Sequence, residues 1–192
     1  EKFAGALYTT AAEAMMPDGK ALQMGTSHQL GQNFSKVFDI KFLGEDEKEH
    51  YVWQTSWGIS TRLIGAIVMV HGDDKGLVLP PKIAPAQAVI VPIPYKDADS
   101  SSILATAKEL HKKFKKKGIA IILDDRAEYP PGWKFNEWEL KGVSVRVEIG
   151  PRDVKQGQVT IARRDTFEKS AIKQEDVVDN VERLLGEIQM NL

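Results

Sequence analysis

The sequence contains no cysteine. Disulfide frameworks, thiol nucleophiles and thiolate zinc sites are therefore excluded within it. It also has no apolar run near the roughly 20 residues that a membrane-spanning helix needs, and no signal peptide at its start. The formal net charge of -1 predicts no global attraction to nucleic acid, so any bound RNA would be held by local patches. These absences together indicate a soluble, cytoplasmic protein with no membrane partner.

The residues that are present suit a packed globular protein. Hydrophobic residues make up 42% and charged residues 28% of the 192 positions, enough for one large domain or two modest ones. The clearest boundary is the stretch 79–85, because Pro80, Pro81 and Pro85 forbid a helix and favour extended backbone. We therefore predict one domain over residues 1–84 and a second over 85–192. The chain opens at Glu1 rather than at a methionine, which we interpret as part of a longer protein.

The two halves differ in their hydrophobic pattern. In the second half, apolar runs alternate with helical stripes, which predicts a mixed sheet covered by helices. One helix is expected between caps at Asp99–Ser102 and Gly118, and the strand 143–149 is expected to be half exposed because its apolar residues alternate with polar ones. The other predicted strands lie at 88–93, 119–123 and 158–164, and the other helices at 134–140 and 177–188.

The first half is less regular. Residues 20–24 and 51–54 read as strands, and residues 62–70 read as a helix. This pattern predicts part of an antiparallel sheet with one helix laid against it, an α+β arrangement beside the α/β second half. A half-built sheet of this kind would expose apolar area unless further strands covered it.

Several polar and glycine-rich stretches could carry chemistry, and each also has an ordinary interpretation. A lone histidine such as His28 is more often structural or solvated than functional. Asp73 and Asp74 lack the spacing of a metal-binding loop, so a turn is favoured. Arg62 stands at a helix start, where the helix carries partial positive charge. An arginine there is easier to explain if an anion or a flat π-system lies opposite it.

Taken together, these stretches resemble a known family. The run SWGISTRLIGA at 56–66 resembles motif 3 of the class II aminoacyl-tRNA synthetases. Four further blocks, in order, resemble the prolyl-tRNA synthetases: FAGALYTT at 3–10, LQMGTSHQLG at 22–31, HGDDKGLVLPP at 71–81 and PGWKFNEWELKGVSVRVEIGPRD at 131–153. The resemblance covers essentially the whole chain. It implies the end of a class II catalytic domain followed by an anticodon-binding domain, a mixed sheet with three helices.

The resemblance implies a proline–tRNA ligase. Such an enzyme joins L-proline to the α-phosphate of ATP, with magnesium, and then transfers the prolyl group to tRNA(Pro). Catalysis would rest on positioning and on electrostatic stabilisation of phosphate charge. Gln23, Thr26 and Arg62 match the ATP-binding residues; Gln23 and Arg62 are the catalytic candidates, and Gln23 could also meet ATP-bound magnesium. The residues expected to hold or line the site of proline are His28, Trp57, Gly58 and Ser60.

The second half would then bind the anticodon. Unpaired anticodon bases are recognised by stacking on aromatic or arginine side chains and by hydrogen bonds to base edges. Each candidate residue could equally be an ordinary surface charge. The lysine-rich run 112–117 could form an RNA patch, but a solvated helix face is favoured. The anticodon-contact candidates are Arg126, Lys134, Glu139, Lys141, Arg146 and Arg152.

The resemblance also carries expectations about what lies outside these residues. A second arginine that grips the α-phosphate, and the interface of a homodimer, would lie upstream of Glu1. Relatives with this kind of anticodon domain often continue into a zinc-binding domain, and we expect no zinc here. The alternative function is a non-catalytic, synthetase-like protein that binds RNA or a partner. The presence of Gln23, Thr26, His28 and Arg62 together argues against that alternative.

The first testable prediction concerns activity. Residues 1–192 alone should show no proline-dependent exchange of pyrophosphate into ATP, because part of the phosphate-binding machinery is expected upstream. Robust exchange by this chain would contradict that expectation.

Overall fold

The chain folds into two compact units, Glu1–Val70 and His71–Leu192. The computed structural model describes residues 2–94 and 100–192, and each unit is presented by itself. The helix cap predicted at Asp99 lies outside the described residues. Among the residues described, no helix is both long and apolar enough to span a membrane. The division between the two compact units falls at residues 70 and 71. The domain boundary predicted between residues 84 and 85 stays a prediction.

The first unit is built on a three-stranded antiparallel sheet in the order β1-β2-β5. The central strand β2 pairs with β1 on one side and with β5 on the other. A separate two-stranded hairpin, β3 with β4, precedes β5. The elements are β1 (Tyr8–Met15), β2 (Ala21–Gly31), α1 (Asn33–Val37), β3 (Lys41–Leu43), β4 (Glu49–Tyr51), β5 (Gln54–Gly58) and α2 (Arg62–His71).

The predicted antiparallel sheet and its helix are confirmed, but β1 and the hairpin of β3 and β4 were not predicted. The single strand predicted at 51–54 is wrong, because the chain changes sheets there: β4 ends at Tyr51 and β5 begins at Gln54. The buried hydroxyl of Ser35 donates to the carbonyl oxygen of Val52 at 2.7 Å, which fixes the connection between the two strands. Val52 and Trp53, which separate the two strands, belong to neither of them. The hydrophobic periodicity of the sequence did not reveal this break.

The first unit encloses little apolar core. Among its described residues, the buried hydrophobic side chains are Ala6, Met16 and Ala66. Large apolar side chains are instead exposed along the sheet, the hairpin and the helix. Exposed apolar area of this extent was expected for a half-built sheet. The largest exposures are at Met15, Val37, Leu43, Trp53, Trp57 and Ile59.

The second unit contains a five-stranded mixed sheet in the order β10-β9-β8-β6-β7. Strand β6 is parallel to both of its neighbours, β7 and β8, whereas β9 and β10 continue the sheet in antiparallel fashion. Three long helices and one short helix accompany it. The elements are β6 (Ala88–Pro92), α3 (Ser100–Lys117), β7 (Ile121–Leu123), α4 (Pro131–Leu140), β8 (Val145–Ile149), α5 (Pro151–Lys155), β9 (Gln158–Arg163), β10 (Lys169–Lys173) and α6 (Val177–Asn191).

Helices cover both faces of this sheet. On one face, α3 and α6 pack against alternate residues of the strands, including Ala88 and Ile90 of β6. On the other face, Trp138 and the partly buried Phe135 of α4 pack against Val89 and Val91. Strand β6 is therefore buried along its whole length, as expected for a parallel strand between two helical layers.

Helix α3 shows how the sequence pattern becomes a packed element. Its residues Ile103, Ala107, Leu110 and Phe114 recur at helical spacing and are buried together against the sheet. Gly118 adopts a φ of 85°, the left-handed conformation that ends a helix most easily when no Cβ is present. The helix and its glycine stop are confirmed.

The prediction that the strand at 143–149 is half exposed is wrong. Every residue of β8 is buried, including Arg146 and Glu148. The polar residues alternate as predicted, but the face that carries them is covered. Arg146 donates to Glu148 at 3.0 Å and to Glu139 of α4 at 2.9 Å. Burial of both signs of charge is tolerated because the ions satisfy one another.

Within the second unit, an ion pair holds the segment that contains Asp73. The buried guanidinium of Arg164 donates to the two carboxylate oxygens of Asp73 at 2.6 and 2.7 Å. These hydrogen bonds, together with backbone donors, lower the pKa of Asp73 to about 2 although desolvation opposes them. The predicted turn at Asp73 and Asp74 is confirmed, because Asp73 and Gly76 exchange backbone hydrogen bonds.

A buried carboxylate organises the loop between β7 and α4. Asp124 is only 2% exposed and accepts from Arg126 on both oxygens at 2.8 Å and from the indole of Trp138 at 2.8 Å. The ammonium of Lys134 donates to the Asp124 carbonyl oxygen at 3.1 Å. Burial alone would raise the pKa of Asp124, but the hydrogen bonds and the nearby positive charges outweigh it and lower the pKa to about 2.

A core substitution should report on the second unit. Phe114→Ala removes a side chain with 0% exposure and should lower the free energy of unfolding by about 3–5 kcal/mol, measured by urea denaturation. Lys116→Ala, on the exposed face of the same helix, is the matched control and should change it by less than about 0.5 kcal/mol. Equal effects of the two variants would contradict the packing described for α3.

The Asp124 network should make stability depend on pH. Because folding lowers the pKa of Asp124 from 3.8 to about 2, its stabilisation is complete above pH 4 and is lost as the pH falls towards 2. Asp124→Asn should therefore destabilise the protein on the order of 2 kcal/mol at pH 6, and the difference from the native protein should shrink between pH 4 and pH 2.5. A difference that stays constant across this range would contradict the assignment.

Candidate functional site

The register of β1 and β2 places three of the predicted site residues on one face. His28, Thr26 and Gln23 pair with Thr9, Ala11 and Glu13, respectively. Those three partners are alternate residues of β1, so their side chains share a face. Gln23 and Thr26 are three positions apart in sequence, so a regular strand would place their side chains on opposite faces. A β-bulge at Met24 shifts the register by one residue and brings Gln23 to the same face.

The neighbouring strand and helix complete the site. In β5, Gly58 pairs with Thr26 and Ser56 pairs with His28, so the floor of the site continues across the sheet. Helix α2 begins at Arg62 just beyond the end of this strand. The Arg62 guanidinium donates to the side-chain oxygen of Gln23 at 3.2 Å. This hydrogen bond joins two residues that are 39 positions apart in sequence.

These elements enclose a cavity of about 330 Å³ in the first unit. Its wall includes all seven residues that the sequence suggested for ATP or proline: Gln23, Thr26, His28, Trp57, Gly58, Ser60 and Arg62. Trp57 pairs with Ser27, so the register places it on the opposite face from His28. Its side chain is 78% exposed, and it borders a second cavity on that opposite face as well. The structure thus brings the predicted residues together, while their roles stay predictions.

Arg62 has an unusual electrostatic setting. It stands in the first turn of α2, where backbone N–H groups already make the helix end partly positive. Within residues 2–94 and 100–192, no carboxylate forms an ion pair with it, and its side chain bonds only the neutral amide of Gln23. A permanently charged and exposed guanidinium at this place suits an anionic ligand.

Two residues that the sequence did not single out support His28. The hydroxyl of Thr9 lies 2.9 Å from the Nδ1 atom of His28, and the ring of Phe3 packs against the imidazole with centroids 4.7 Å apart. Both residues belong to the block FAGALYTT. The resemblance had marked that block as a family feature but had not connected it to His28. Only the strand register, which places Thr9 opposite His28, reveals the contact.

The second unit has its own cavity at the carboxyl ends of the parallel strands. The chain leaves β6 towards α3 on one face of the sheet and leaves β7 towards α4 on the other. Such a switch point opens a crevice where ligands of α/β sheets commonly bind. A cavity of about 280 Å³ lies there, with mainly apolar walls and two cations, Arg126 and Lys134, at its side.

Aromatic rings stand beside this cavity. Tyr129, which lines it, stacks on Trp133 with ring centroids 4.0 Å apart and planes 12° apart. The guanidinium of Arg126 lies 5.0 Å from the centre of the Tyr129 ring and 5.4 Å from that of Trp133. Both rings remain partly exposed. This stack is called the aromatic platform below. The sequence reasoning missed it, although the aromatic content of 129–138 was a usable signal.

The predicted anticodon-contact residues fall into different environments. Lys134 is 3% exposed and donates to the carbonyl oxygen of Asp124. It therefore stabilises the loop and presents little positive charge to a ligand. Arg126 also donates to Glu137, and Glu137 in turn accepts from Lys141 at 2.7 Å. Arg152 is exposed near the start of α5 and forms no ion pair among the described residues.

A second charged cluster surrounds β8 and is called the β8 cluster below. Its buried carboxylate, Glu148, accepts from Arg146 and also from Lys169 of β10 at 2.8 and 3.0 Å. Phe135 stacks on Arg146, with the guanidinium 4.2 Å from the ring centre. Glu139 and Arg146 were predicted candidates, whereas Glu148 and Lys169 were not, because cross-strand pairing is needed to place them together.

The lysine-rich end of α3 has a mixed character. Phe114 is buried while the lysines around it are exposed, as predicted for a helix with one solvated face. Lys113 pairs with Glu109 at 2.7 Å, and Lys117 pairs with Asp179 and Glu182 at 3.2 and 3.1 Å. An RNA-binding role for this face stays a prediction. In the part of the chain that the structure describes, no group of three acidic, histidine or cysteine residues could hold a metal ion.

Comparison with known proteins connects both units to one enzyme family. The profile of the anticodon binding domain matches residues 87–184. A proline–tRNA ligase from Natranaerobius thermophilus is 56% identical over 189 residues, covering 98% of this chain and 39% of the relative. The corresponding ligase from Cenarchaeum symbiosum is 54% identical over 192 residues, covering 100% and 40%, and that from Flavobacterium johnsoniae is 53% identical over 192 residues, covering 100% and 39%.

The chain spans about two fifths of the length of these relatives. The similarity extends through both compact units, because nearly every position of the chain is aligned. The resemblance to the prolyl-tRNA synthetases is confirmed, while the motif 3 assignment at 56–66 stays a prediction. The chain belongs to the anticodon-binding-domain family and is homologous along its length to the proline–tRNA ligases.

Proposed function

We propose that this chain forms part of a proline–tRNA ligase, in which it supplies one wall of the site for ATP and proline together with the module that binds the anticodon of tRNA(Pro). The observation that carries the proposal is the convergence of seven residues on one cavity of the first unit. They come from two strands, the loop after β5 and the start of a helix, and they belong to two sequence blocks that are about 25 residues apart.

The chemistry of the cavity suits an adenylate. Arg62 offers a planar cation that can stack on adenine or donate to a phosphate oxygen. Gln23 already holds this guanidinium through its side-chain oxygen, which limits its rotation. Such preorganisation lowers the cost of placing a positive charge where phosphate charge develops. This motif 3 role of Arg62 is part of the proposal.

The fit to magnesium is limited to a secondary contact. The cavity wall contains no carboxylate, and magnesium prefers several oxygen ligands in octahedral geometry. Gln23 and Thr26 offer one neutral side-chain oxygen each. These residues fit an ion held mainly by the phosphates of ATP and by water. When bound, magnesium would neutralise phosphate charge, while this chain contributes positioning.

The proline end of the cavity would be formed by His28 and the glycine-rich strand end. Gly58 leaves space beside Thr26 because it has no side chain. Trp57 and Ile59 give the cavity apolar wall area that suits the small ring of proline, and Phe3 packs against His28. Discrimination by such a wall is worth roughly 10–200-fold per methylene group.

Anticodon binding is proposed at the carboxyl edge of the parallel strands in the second unit. The aromatic platform beside the 280 Å³ cavity could stack an unpaired base, which contributes about 1–3 kcal/mol per base. The nearby charges largely neutralise one another, since Arg126 lies between Asp124 and Glu137. The site therefore favours a base over a phosphate. In the β8 cluster, Glu148 is buried and both of its carboxylate oxygens accept from Arg146 or Lys169, so this cluster supports the sheet and the proposed base contact is at the aromatic platform.

Properties of the whole protein belong to the same proposal. They include ATP-dependent activation of proline, transfer to tRNA(Pro), a homodimeric assembly and a place in the cytoplasm. The alternative, a non-catalytic synthetase-like RNA-binding protein, would keep anticodon binding without proline activation. The assays below separate the two.

Substitution of Arg62 tests the ATP site. In the full-length protein that contains this chain, Arg62→Lys should lower kcat/KM for proline-dependent pyrophosphate exchange about 10- to 100-fold, because a lysine can neither stack on adenine nor donate in the same planar geometry. Arg183→Lys, an exposed arginine of α6, is the matched control and should leave exchange unchanged. Undiminished exchange in Arg62→Lys, or none in the native protein, would refute the ligase assignment of this cavity.

Substitution of Trp133 tests the anticodon site. Trp133→Ala should weaken binding of tRNA(Pro) about 5- to 150-fold in a gel shift, from the loss of roughly 1–3 kcal/mol of stacking. It should also reduce the preference over tRNA(Pro) carrying a substituted anticodon. Phe167→Leu, an exposed aromatic of the same unit, should have little effect. If the native protein binds every anticodon equally, residues 126–152 have no role in base recognition.

A further inference from the structure

The contact between Thr9 and His28 indicates which ring nitrogen of His28 carries a proton. Thr9 and His28 face each other across β1 and β2, with Thr9 Oγ1 2.9 Å from His28 Nδ1. The backbone N–H of Phe3 donates to the same Thr9 oxygen at 3.1 Å. The chain Phe3 N–H, Thr9 hydroxyl, His28 imidazole is called the Thr9 relay below.

The direction of the hydrogen bonds follows from what each group can do. A backbone N–H can only donate, so Thr9 Oγ1 accepts from Phe3. The hydroxyl then has one proton to donate. Among the described residues its remaining partner is Nδ1 of His28, which can accept only in its unprotonated form. Donation to Nδ1 satisfies every group in the relay. The opposite direction would leave the hydroxyl proton without a partner in the relay.

We infer that Thr9 is a positioning residue that holds neutral His28 in the tautomer with its proton on Nε2. With Nδ1 engaged by Thr9, Nε2 is the ring nitrogen available to a ligand in the cavity that His28 lines. The cavity is therefore offered an N–H donor rather than a lone pair. Phe3 packs on the imidazole and restrains rotation of the ring.

This inference rests in part on the proposed function, because it gives His28 a specific task towards proline. The carboxylate of an amino acid accepts hydrogen bonds and would be repelled by an imidazole lone pair. A neutral donor also avoids placing another full positive charge in the cavity that contains Arg62. Thr9 thus decides which ring nitrogen of His28 carries the proton, as hydrogen-bond partners do for histidines elsewhere.

The proton position can be measured without any catalytic assay. In the full-length protein that contains this chain, labelled with ¹⁵N-histidine, long-range ¹H–¹⁵N spectra at about pH 8.5, where an imidazole is neutral, distinguish protonated from unprotonated ring nitrogens. His28 is assigned by loss of its signals in His28→Asn. We expect a single form with the proton on Nε2 and a hydrogen-bonded Nδ1.

Three variants test the role of Thr9. Thr9→Val keeps the branched shape and removes the hydroxyl, so the Nδ1 signal should shift and signals of the Nδ1–H form should appear. Thr9→Ser should restore the native spectrum. Thr10→Val, on the neighbouring residue of the same strand, should leave it unchanged. A native spectrum with the proton on Nδ1, or an unaltered one in Thr9→Val, would overturn the inference.

Kinetics of the full-length protein connect the relay to substrate. Thr9→Val should raise KM for proline about 2- to 10-fold, as expected for a lost neutral hydrogen bond, with KM for ATP unchanged and Thr9→Ser close to native. If the spectra behave as expected but proline neither shifts the His28 signals nor shows the change in KM, the relay stands and the proline role of His28 fails. If Thr9→Val changes neither the His28 spectrum nor the KM for proline, Thr9 has no positioning role.

Discussion

Strand β2 is paired on both sides, with β1 and with β5, and its side chains can reach the cavity from one face only. The placement of Gln23, Thr26 and His28 in the candidate active site depends on that register. The bulge at Met24 is the decisive detail, because it moves Gln23 onto the face of Thr26 and His28. Without it, Gln23 would point away and could not hold Arg62. A one-residue change in backbone pairing therefore determines whether the site exists.

In the second unit, the corresponding constraint is the burial of β6 on both faces. Two helices must cover it from opposite sides, so the chain leaves β6 and β7 in opposite directions and opens a crevice between them. The loop at this crevice carries several charged side chains, and Asp124 fixes their positions. Its buried carboxylate accepts from Arg126 and Trp138, and its carbonyl oxygen accepts from Lys134. Charge neutralisation here makes the edge suitable for aromatic stacking rather than for binding phosphate.

The features predicted correctly from the sequence are those with strong local causes. The stripe of α3 and its glycine stop follow from helical periodicity and from the φ that Gly118 adopts. The short hairpin of β3 and β4, by contrast, was missed, and the strand at 51–54 was misplaced. Three-residue strands carry too little pattern to be recognised. The burial of Arg146 and Glu148 also went unforeseen, because it depends on the helix that lies over them and on Lys169 from another strand.

The sequence by itself determined the family and supplied the candidate site residues, because ordered blocks of characteristic composition point to both without coordinates. Tertiary structure decided which residues act on one another. The pairing of β1 with β2 is responsible for the contact of Thr9 with His28, and the approach of α2 to β2 is responsible for that of Arg62 with Gln23. Such contacts join positions 19 and 39 residues apart. Their geometry follows from strand register, which no local pattern in the sequence encodes.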